Sequence, residues 1–276
     1  MTPSTFRKEK STARAAQCSP LPVGETVEVL PAEPLGEPEV GFGLQQAVLE
    51  EVGAGEREPT ALMWTSSRYV GATRQEMRLP GFAAATEAAS EFGFPVLVRN
   101  SGGGAVAANG GSLSFSLTFP VEDLRHGLYE RYSGGLELIA SALRRVGVEA
   151  EGGEVEGEFC PGAYSVRSGG PCGVKHAGLA QRVTRRAARL EALILVSETY
   201  EIRVMLKRFY GLLGLPFRPE SVGDLPVDVT RVIQALSEEV RERYTVSEGR
   251  IDETTMDRAR ALRREWHVIP DSGASL

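Results

Sequence analysis

The clearest pattern in the chain lies between residues 112 and 120, "SLSFSLTFP", where Leu113, Phe115, Leu117 and Phe119 alternate with Ser112, Ser114, Ser116 and Thr118. A period of two sends alternate side chains to opposite faces, so this stretch predicts a half-buried strand with one apolar face, ended by Pro120. "ALMWTSSRYVGAT" predicts two short strands and "FPVLVRN" another. "GAYSVRS", "VKHAGLAQRVT" and "RLEALILVS" predict three more, joined by Gly-rich or basic turns that suit antiparallel neighbours. Elsewhere the apolar period becomes helical. "GFGLQQAVLEEV" and "LPGFAAATEAASEFG", the latter with Gly93 at its end, read as helices. So does "VEDLRHGLYERYSGGLELIASALRRVGV", where Leu124, Leu128, Leu136, Ile139 and Leu143 keep helical spacing and Gly134 and Gly135 are a candidate break. After Ser197 the chain reads as mainly helical, in "VTRVIQALSEEVRERY" and "DETTMDRARALRREW".

Strands and helices mixed without strict βαβ alternation predict an α+β fold, with a mixed or antiparallel sheet flanked by helices and a helical C-terminal segment. Residues 1–38 carry Pro3, Pro20, Pro22, Pro31, Pro34 and Pro38 with little apolar periodicity, which predicts a disordered leader. Its first part, "MTPSTFRKEKSTARAAQ", is basic and hydroxyl-rich, so an organelle transit peptide and an ordinary solvated tail both fit.

Composition narrows the classes. The 276 residues are 42% hydrophobic and 25% charged, enough for a real core. No apolar run approaches the roughly 18 residues of a membrane helix, and no secretory signal is visible, so a soluble cytoplasmic protein without a membrane partner is expected. A net charge of -6 without a basic stripe argues against nucleic acid. Cys18, Cys160 and Cys172 show no CxxC spacing, and His126, His176 and His267 are scattered, so neither a disulfide framework nor a metal site is expected.

The candidate chemistry begins at "LVRNSGGGAV", residues 97–106. Three consecutive glycines cost backbone entropy and mark a chain that takes positive φ or lets something come close. A dinucleotide fingerprint fails, because the loop opens a second strand, not a helix. A phosphate-cradling loop fails too, because Ala105 and Val106 stand where Lys and Ser or Thr are needed. Spacing alone leaves a glycine-rich hairpin turn and a ligand-approach loop both open.

"RNSGGGAV" followed by "NGGSLSFSL" resembles the signature loop of the lipoate and biotin protein ligase superfamily, and "VKHAGLAQR" resembles its second signature, a lysine on a strand followed by Ala-Gly. The resemblance spans roughly Trp64 to Ser197. "RLPGF", "VLVRNSGG" and "FCPGAYSV" lean toward the cysteine-dependent octanoyltransferases of lipoate assembly, above all the amidotransferase type that draws on the glycine-cleavage H protein. The chain departs from that branch at Gly103, Gly104 and Ala105, where Gly-Gly-Leu-Ala is more usual, and at Asn109, where an aspartate is usual. The resemblance implies a lipoate-biotin ligase-like catalytic domain over 39–215 and a helical C-terminal extension over 216–276. It implies Cys160 as acyl acceptor and Lys175, fifteen positions on, as the lysine beside it. Arg99, Ser101, Gly102, Gly103, Gly104, Ala105 and Val106 of the first signature, with Ala177 and Gly178 of the second, match substrate-binding positions. The implied partners are an octanoylated glycine-cleavage H protein or other lipoyl-domain proteins, and no cofactor is required. The alternative is an ATP-dependent lipoate or biotin ligase, using ATP and Mg through an acyl-adenylate, with Cys160 incidental.

The residues allow that chemistry. A thiol attacks a thioester or amide as thiolate, whereas an ordinary cysteine, with pKa near roughly 8.5, is mostly protonated at neutral pH. A Lys175 ammonium within a few ångströms of the sulfur would favour the thiolate, and glycines 102–104 would let backbone amides approach a developing oxyanion. Cys160 also fits an inert turn thiol and Lys175 a solvated strand lysine. Strand alternation puts Lys175 and His176 on opposite faces, so only one of them faces a pocket, and Lys175 is expected there. Arg99 can hold a substrate carbonyl or carboxylate, or cap the strand end. Arg182, Arg185, Arg186 and Arg189 form the one local basic run, which suits docking of an acidic carrier domain or a solvated hairpin.

Overall fold

The computed structural model describes residues 25–31, 34–122 and 127–267. In chain order the strands are β1 (Thr26–Pro31), β2 (Thr60–Trp64), β3 (Tyr69–Ala72), β4 (Val96–Val98), β5 (Val106–Ala108), β6 (Ser112–Pro120), β7 (Glu151–Gly152), β8 (Ser165–Ser168), β9 (Val174–Val183), β10 (Ala187–Leu195) and β11 (Thr245–Glu248). The helices are α1 (Pro38–Ala54), α2 (Phe82–Glu91), α3 (Leu128–Arg145), α4 (Thr199–Leu213), α5 (Val229–Arg243) and α6 (Glu253–Leu262). Eight strands form one sheet in the order β11-β1-β2-β6-β10-β9-β8-β7, and β4-β3-β5 form a small second sheet. Pairing is parallel for β11 with β1, β1 with β2 and β3 with β4, and antiparallel elsewhere, so the sheets are mixed and the α+β expectation holds.

The alternation in β6 explains the layering. Leu113, Phe115, Leu117 and Phe119 pack with Val27, Val29, Ala61 and Met63 of β1 and β2 beneath α3 and α5. Gly134 and Gly135 do not break α3, which runs continuously to Arg145. A Cβ on Gly135 would lie 2.0 Å from Leu190 Cδ2, so the glycine serves the close approach of α3 to β10. The serine face of β6 is not solvated, contrary to the half-buried expectation, because α1 covers it with Leu44, Val48 and Val52 against Leu62 and Trp64. A third core joins α2 and α4 to the small sheet through Phe82, Val70, Phe94, Met205 and Phe209.

Two boundaries differ from the sequence reading. Thr26–Pro31, assigned to the leader, is an interior strand between β11 and β2. Val27 and Val29 bury one face of it, while Pro31 ends the strand and Pro38 begins α1, where a missing N–H costs nothing. The C-terminal segment is likewise woven in, since β11 pairs with β1, and α6 packs on α1. Arg57 ties the pieces together, bonding Glu28 and Glu51 at 2.7 Å each and Asp252 at 3.2 Å. The leader's first 24 residues, with Cys18, and Leu124 and His126 of the predicted helix lie outside the described residues.

Candidate active site

The glycine loop runs from β4 to β5, and the "EFCPG" loop leads toward β8; the two meet at the sulfur of Cys160. Gly103 has φ +96°, and a Cβ there would stand 2.7 Å from Cys160 Sγ. The glycines thus let a thiol come close. Gly104 N–H donates to Sγ at 3.0 Å, and Arg99 Nη2 lies 3.5 Å from it while donating to Gly104 O at 2.7 Å. A backbone amide and a guanidinium are the donors that suit a thiolate. Cys160 itself has φ +44°, a left-handed conformation that costs a non-glycine residue roughly 1–3 kcal/mol and marks a position held by its surroundings.

Lys175 reaches the same residue from the other side. Its ammonium donates to Glu158 Oε1 at 3.2 Å, Phe159 O at 2.9 Å and Cys160 O at 3.0 Å, so its three N–H groups go to the cysteine loop's own acceptors. The lysine therefore grips the Cys160 peptide, and the groups bonded to the sulfur are Gly104 and Arg99. Glu158 and Lys175 are both buried, at 0% and 1% side-chain exposure, and the carboxylate also accepts from Ser165 Oγ at 2.6 Å, Gly162 N at 3.2 Å and Val155 N at 3.0 Å. A buried charge pair holds only when its remaining lone pairs are met, and here they are. His176 turns to the opposite side, as strand alternation requires, and bonds Ser168 Oγ at 2.8 Å through Nε2; burial pushes its pKa down to about 4.

Cys160 opens onto a cavity of about 220 Å³. Phe42, Trp64, Tyr69, Val106, Leu179 and Leu193 supply apolar walls, and Arg99, Gly102, Gly103, Lys175 and Gly178 also line it. Tyr132 and Tyr164, stacked at 4.0 Å, form part of the wall. Glu191 brings a carboxylate to this wall; burial works against its charge, but Arg189, the Ser101 hydroxyl and Arg99 outweigh burial and hold it below the usual carboxylate range. Burial pushes the Tyr69 phenol up to about 12, so it stands there as a neutral O–H.

Not every matched position faces the cavity. Ser101 lies behind Arg99, accepting from Nη1 at 3.2 Å. Ala105 is a backbone relay, its N–H donating to the Glu76 carboxylate and its C=O accepting from Tyr210 Oη at 2.7 Å. Ala177 points away into the core shared with Val166 and Ile194. In the basic run, Arg185 and Arg186 are exposed at the β9–β10 turn, whereas Arg189 is buried and bonds Glu191 Oε2 at 2.8 Å. Among the described residues no group of three or more His, Cys, Asp or Glu side chains could hold a metal ion, and no helix is long and apolar enough to cross a membrane.

Glu76, Glu158, Glu191 and Tyr210 escaped the sequence reading. Glu191 left a signal, a lone acid inside the apolar run "RLEALILVS", which a strand buried on both faces tolerates only with partners. Tyr210 left none, because beside Ile202, Met205, Leu206, Phe209 and Leu213 it reads as one more residue of an amphipathic stripe.

Known proteins share both the fold and the sequence. A lipoate-protein ligase A bound with ATP superposes with a TM-score of 0.69 at 20% identity, covering 88% of this chain and 95% of that one. A putative lipoate protein ligase from T. acidophilum with bound lipoic acid gives 0.66 at 20% identity, over 88% and 95%. At these identities the likeness concerns the fold alone. An octanoyl-[GcvH]:protein N-octanoyltransferase of Geobacillus kaustophilus is 31% identical over 65% of this chain and 62% of its own length. One of the same name from Bacillus velezensis is 30% identical over 75% and 71%. The pattern of the lipoyl protein ligase A/B catalytic domain matches residues 37–249, which take in the glycine loop, Cys160 and Lys175, and the chain belongs to that family.

Proposed function

We propose that the protein transfers an octanoyl or lipoyl group from one lipoyl carrier domain to a lysine of another, through a thioester on Cys160. The observation that carries this reading is the sulfur itself, at the wall of an apolar cavity with Gly104 N–H and the Arg99 guanidinium on it. In the first half, Cys160 sulfur attacks the acyl carbonyl of the donor's octanoyl-lysine amide. The C–N bond breaks, and the proton given up by the thiol leaves on the donor lysine amine. In the second half, the neutral amine of an acceptor lysine attacks the thioester, the C–S bond breaks, and the released proton restores the thiol. Covalent capture splits one hard amide exchange into two displacements. Arg99, Gly102 and Gly103 line the cavity beside the sulfur, where their N–H groups would meet the acyl oxygen as it gains charge, and Lys175 holds the Cys160 carbonyl. Seven aliphatic carbons in the cavity would contribute roughly 5–6 kcal/mol of binding. No cofactor enters these steps. The relatives' names suggest the octanoylated glycine-cleavage H protein as donor and a second protein as acceptor, which this reading takes to carry a lipoyl domain.

Intact mass after incubation with an octanoylated glycine-cleavage H protein, without ATP, tests the reading. A hydroxylamine-labile octanoyl increment on the wild type and none on Cys160→Ser is the expected result. Acylation of an apo carrier only when free octanoate or lipoate and ATP are supplied, with no increment on Cys160, would replace it by the ligase reading.

A further inference from the structure

The two loops that make the site come from distant parts of the sequence, and one side chain joins them. Tyr210, on α4, donates its phenolic hydrogen to Ala105 O at 2.7 Å and accepts the Cys160 N–H at 2.8 Å. A phenol has one hydrogen to give and lone pairs to receive, so a single oxygen closes both bonds, one to the glycine loop and one to the cysteine loop. The oxygen lies in a buried place, 2% exposed for the residue, packed against Phe217 at 5.5 Å between ring centres. A Cβ added to Gly104 would be 3.6 Å from it. Burial raises the Tyr210 pKa, so the hydroxyl keeps its hydrogen at any working pH.

Cys160 is thereby held at both ends of its backbone. Tyr210 takes the N–H and Lys175 takes the C=O, while φ is +44°, a conformation that a cysteine left to itself would abandon. The sulfur meets Gly104 N–H only when the two loops keep this registration. Glu76 steadies the other side, accepting from Ala105 N–H and, at 2.8 Å, from Thr73 N.

We propose that Tyr210 is a positioning residue, whose hydroxyl locks the glycine loop to the cysteine loop and so keeps the Cys160 sulfur on Gly104 N–H and Arg99. This rests on the reading of Cys160 as the nucleophile, but its test does not depend on transfer. Tyr210→Phe keeps the ring and leaves a part-buried N–H and a buried C=O without their partner.

The measurement is the second-order rate of Cys160 alkylation by iodoacetamide at pH 7, followed by peptide mass mapping so that Cys18 and Cys172 are scored separately. Tyr210→Phe should slow alkylation of Cys160 about tenfold, the effect of one buried hydrogen bond. Octanoyl transfer should lose a similar factor in kcat with the donor KM within about twofold, because the cavity walls are untouched. Met205→Ala is the structural control, since it empties part of the same helix's core and should lower Tm while leaving Cys160 alkylation as in the wild type. An alkylation rate in Tyr210→Phe equal to the wild type, or an equal slowing by Met205→Ala, overturns the proposal. If Tyr210→Phe is recovered only as aggregate, 4-aminophenylalanine at position 210 replaces it. This group keeps the ring and a donor but is a weaker acceptor, so a smaller slowing is expected and none overturns the proposal. A wild type that takes up no octanoyl group while Tyr210→Phe still slows alkylation would remove the transferase reading and keep the positioning role.

Discussion

On the face of β6 turned to α3 and α5 stand Leu113, Phe115, Leu117 and Phe119; on the face turned to α1 stand Ser112, Ser114, Ser116 and Thr118, and all eight are buried. The first face is stabilised by removing hydrocarbon from water. The second keeps hydroxyls where burial gains little, and the residues opposite them in β10 are Leu195, Leu193, Glu191 and Arg189. Ser114 and Glu191 line the cavity, and the Ser116 and Thr118 hydroxyls have no hydrogen-bond partner among the described residues. A buried polar group without a bond costs free energy, so this face is not arranged for stability. One strand, buried equally on both sides, thus holds the domain together with one set of side chains and gives Ser114 of the other set to the cavity wall.

The contrast is broken most directly by truncating one residue from each face. Phe115→Ala should cost about 3–5 kcal/mol, while Ser116→Ala, one residue on, should stay within about 1 kcal/mol of the wild type, because the lost hydroxyl had no partner to leave behind. Urea denaturation measures both, and equal losses would show that the two faces do not divide the work.

Strand β9 repeats the division at Lys175 and His176, and pH sharpens it there. His176 has its pKa lowered by burial from 6.5 to about 4, so the unfolded chain takes up the proton first. Stability from this group is complete above about pH 6.5 and falls by about 3 kcal/mol as pH drops to 4. Glu149 and Asp224 share the shallow cleft beside His176, and they should soften the fall. His176→Gln should flatten that part of the stability profile, measured by urea titration at pH 7, 5.5 and 4.5; an unchanged slope would mean that another group titrates.

A stability change smaller than those at Phe115 and His176 falls at the site itself. Gly103→Ala should cost roughly 1–2 kcal/mol for its positive φ, yet slow acylation of Cys160 at least about tenfold, because the new Cβ would stand 2.7 Å from the sulfur, inside contact distance, and push it from Gly104 N–H. Thermal unfolding and intact mass after octanoylation read the two effects, and a variant that acylates at the wild-type rate would show that the glycine does not serve the thiol.

Much of the fold was legible because period and burial coincide. The strands from β2 to β10, apart from the short β5 and β7, and the helices α1, α2, α5 and α6 stand where alternation or helical spacing put them. β1 was lost among prolines that punctuate a strand end and a helix start, and β11 follows α5 with no turn residue between them. Both pair parallel, through contacts more than two hundred residues apart, and no local pattern records such a partner. At the site, Cys160, Lys175 and the glycine loop were legible as motifs and Glu191 only as a lone acid in an apolar run, while Glu158 and Tyr210 were not, because each acts through partners on other elements.

The sequence by itself determined the apolar faces of most elements, the α+β class, the glycine loop as a place of close approach, and the pairing of one cysteine with one lysine by resemblance. Only the tertiary structure decided what each of them touches. Lys175 holds the Cys160 carbonyl because Glu158 and two loop carbonyls surround its ammonium, and Arg99 is the cation at the sulfur because Gly104 turns it there. Tyr210 becomes part of the site because α4 brings one hydroxyl between two loops. Hydrogen bonds and charge pairs depend on ångströms and angles, and those are set by packing across the whole chain, whereas period and composition are written residue by residue.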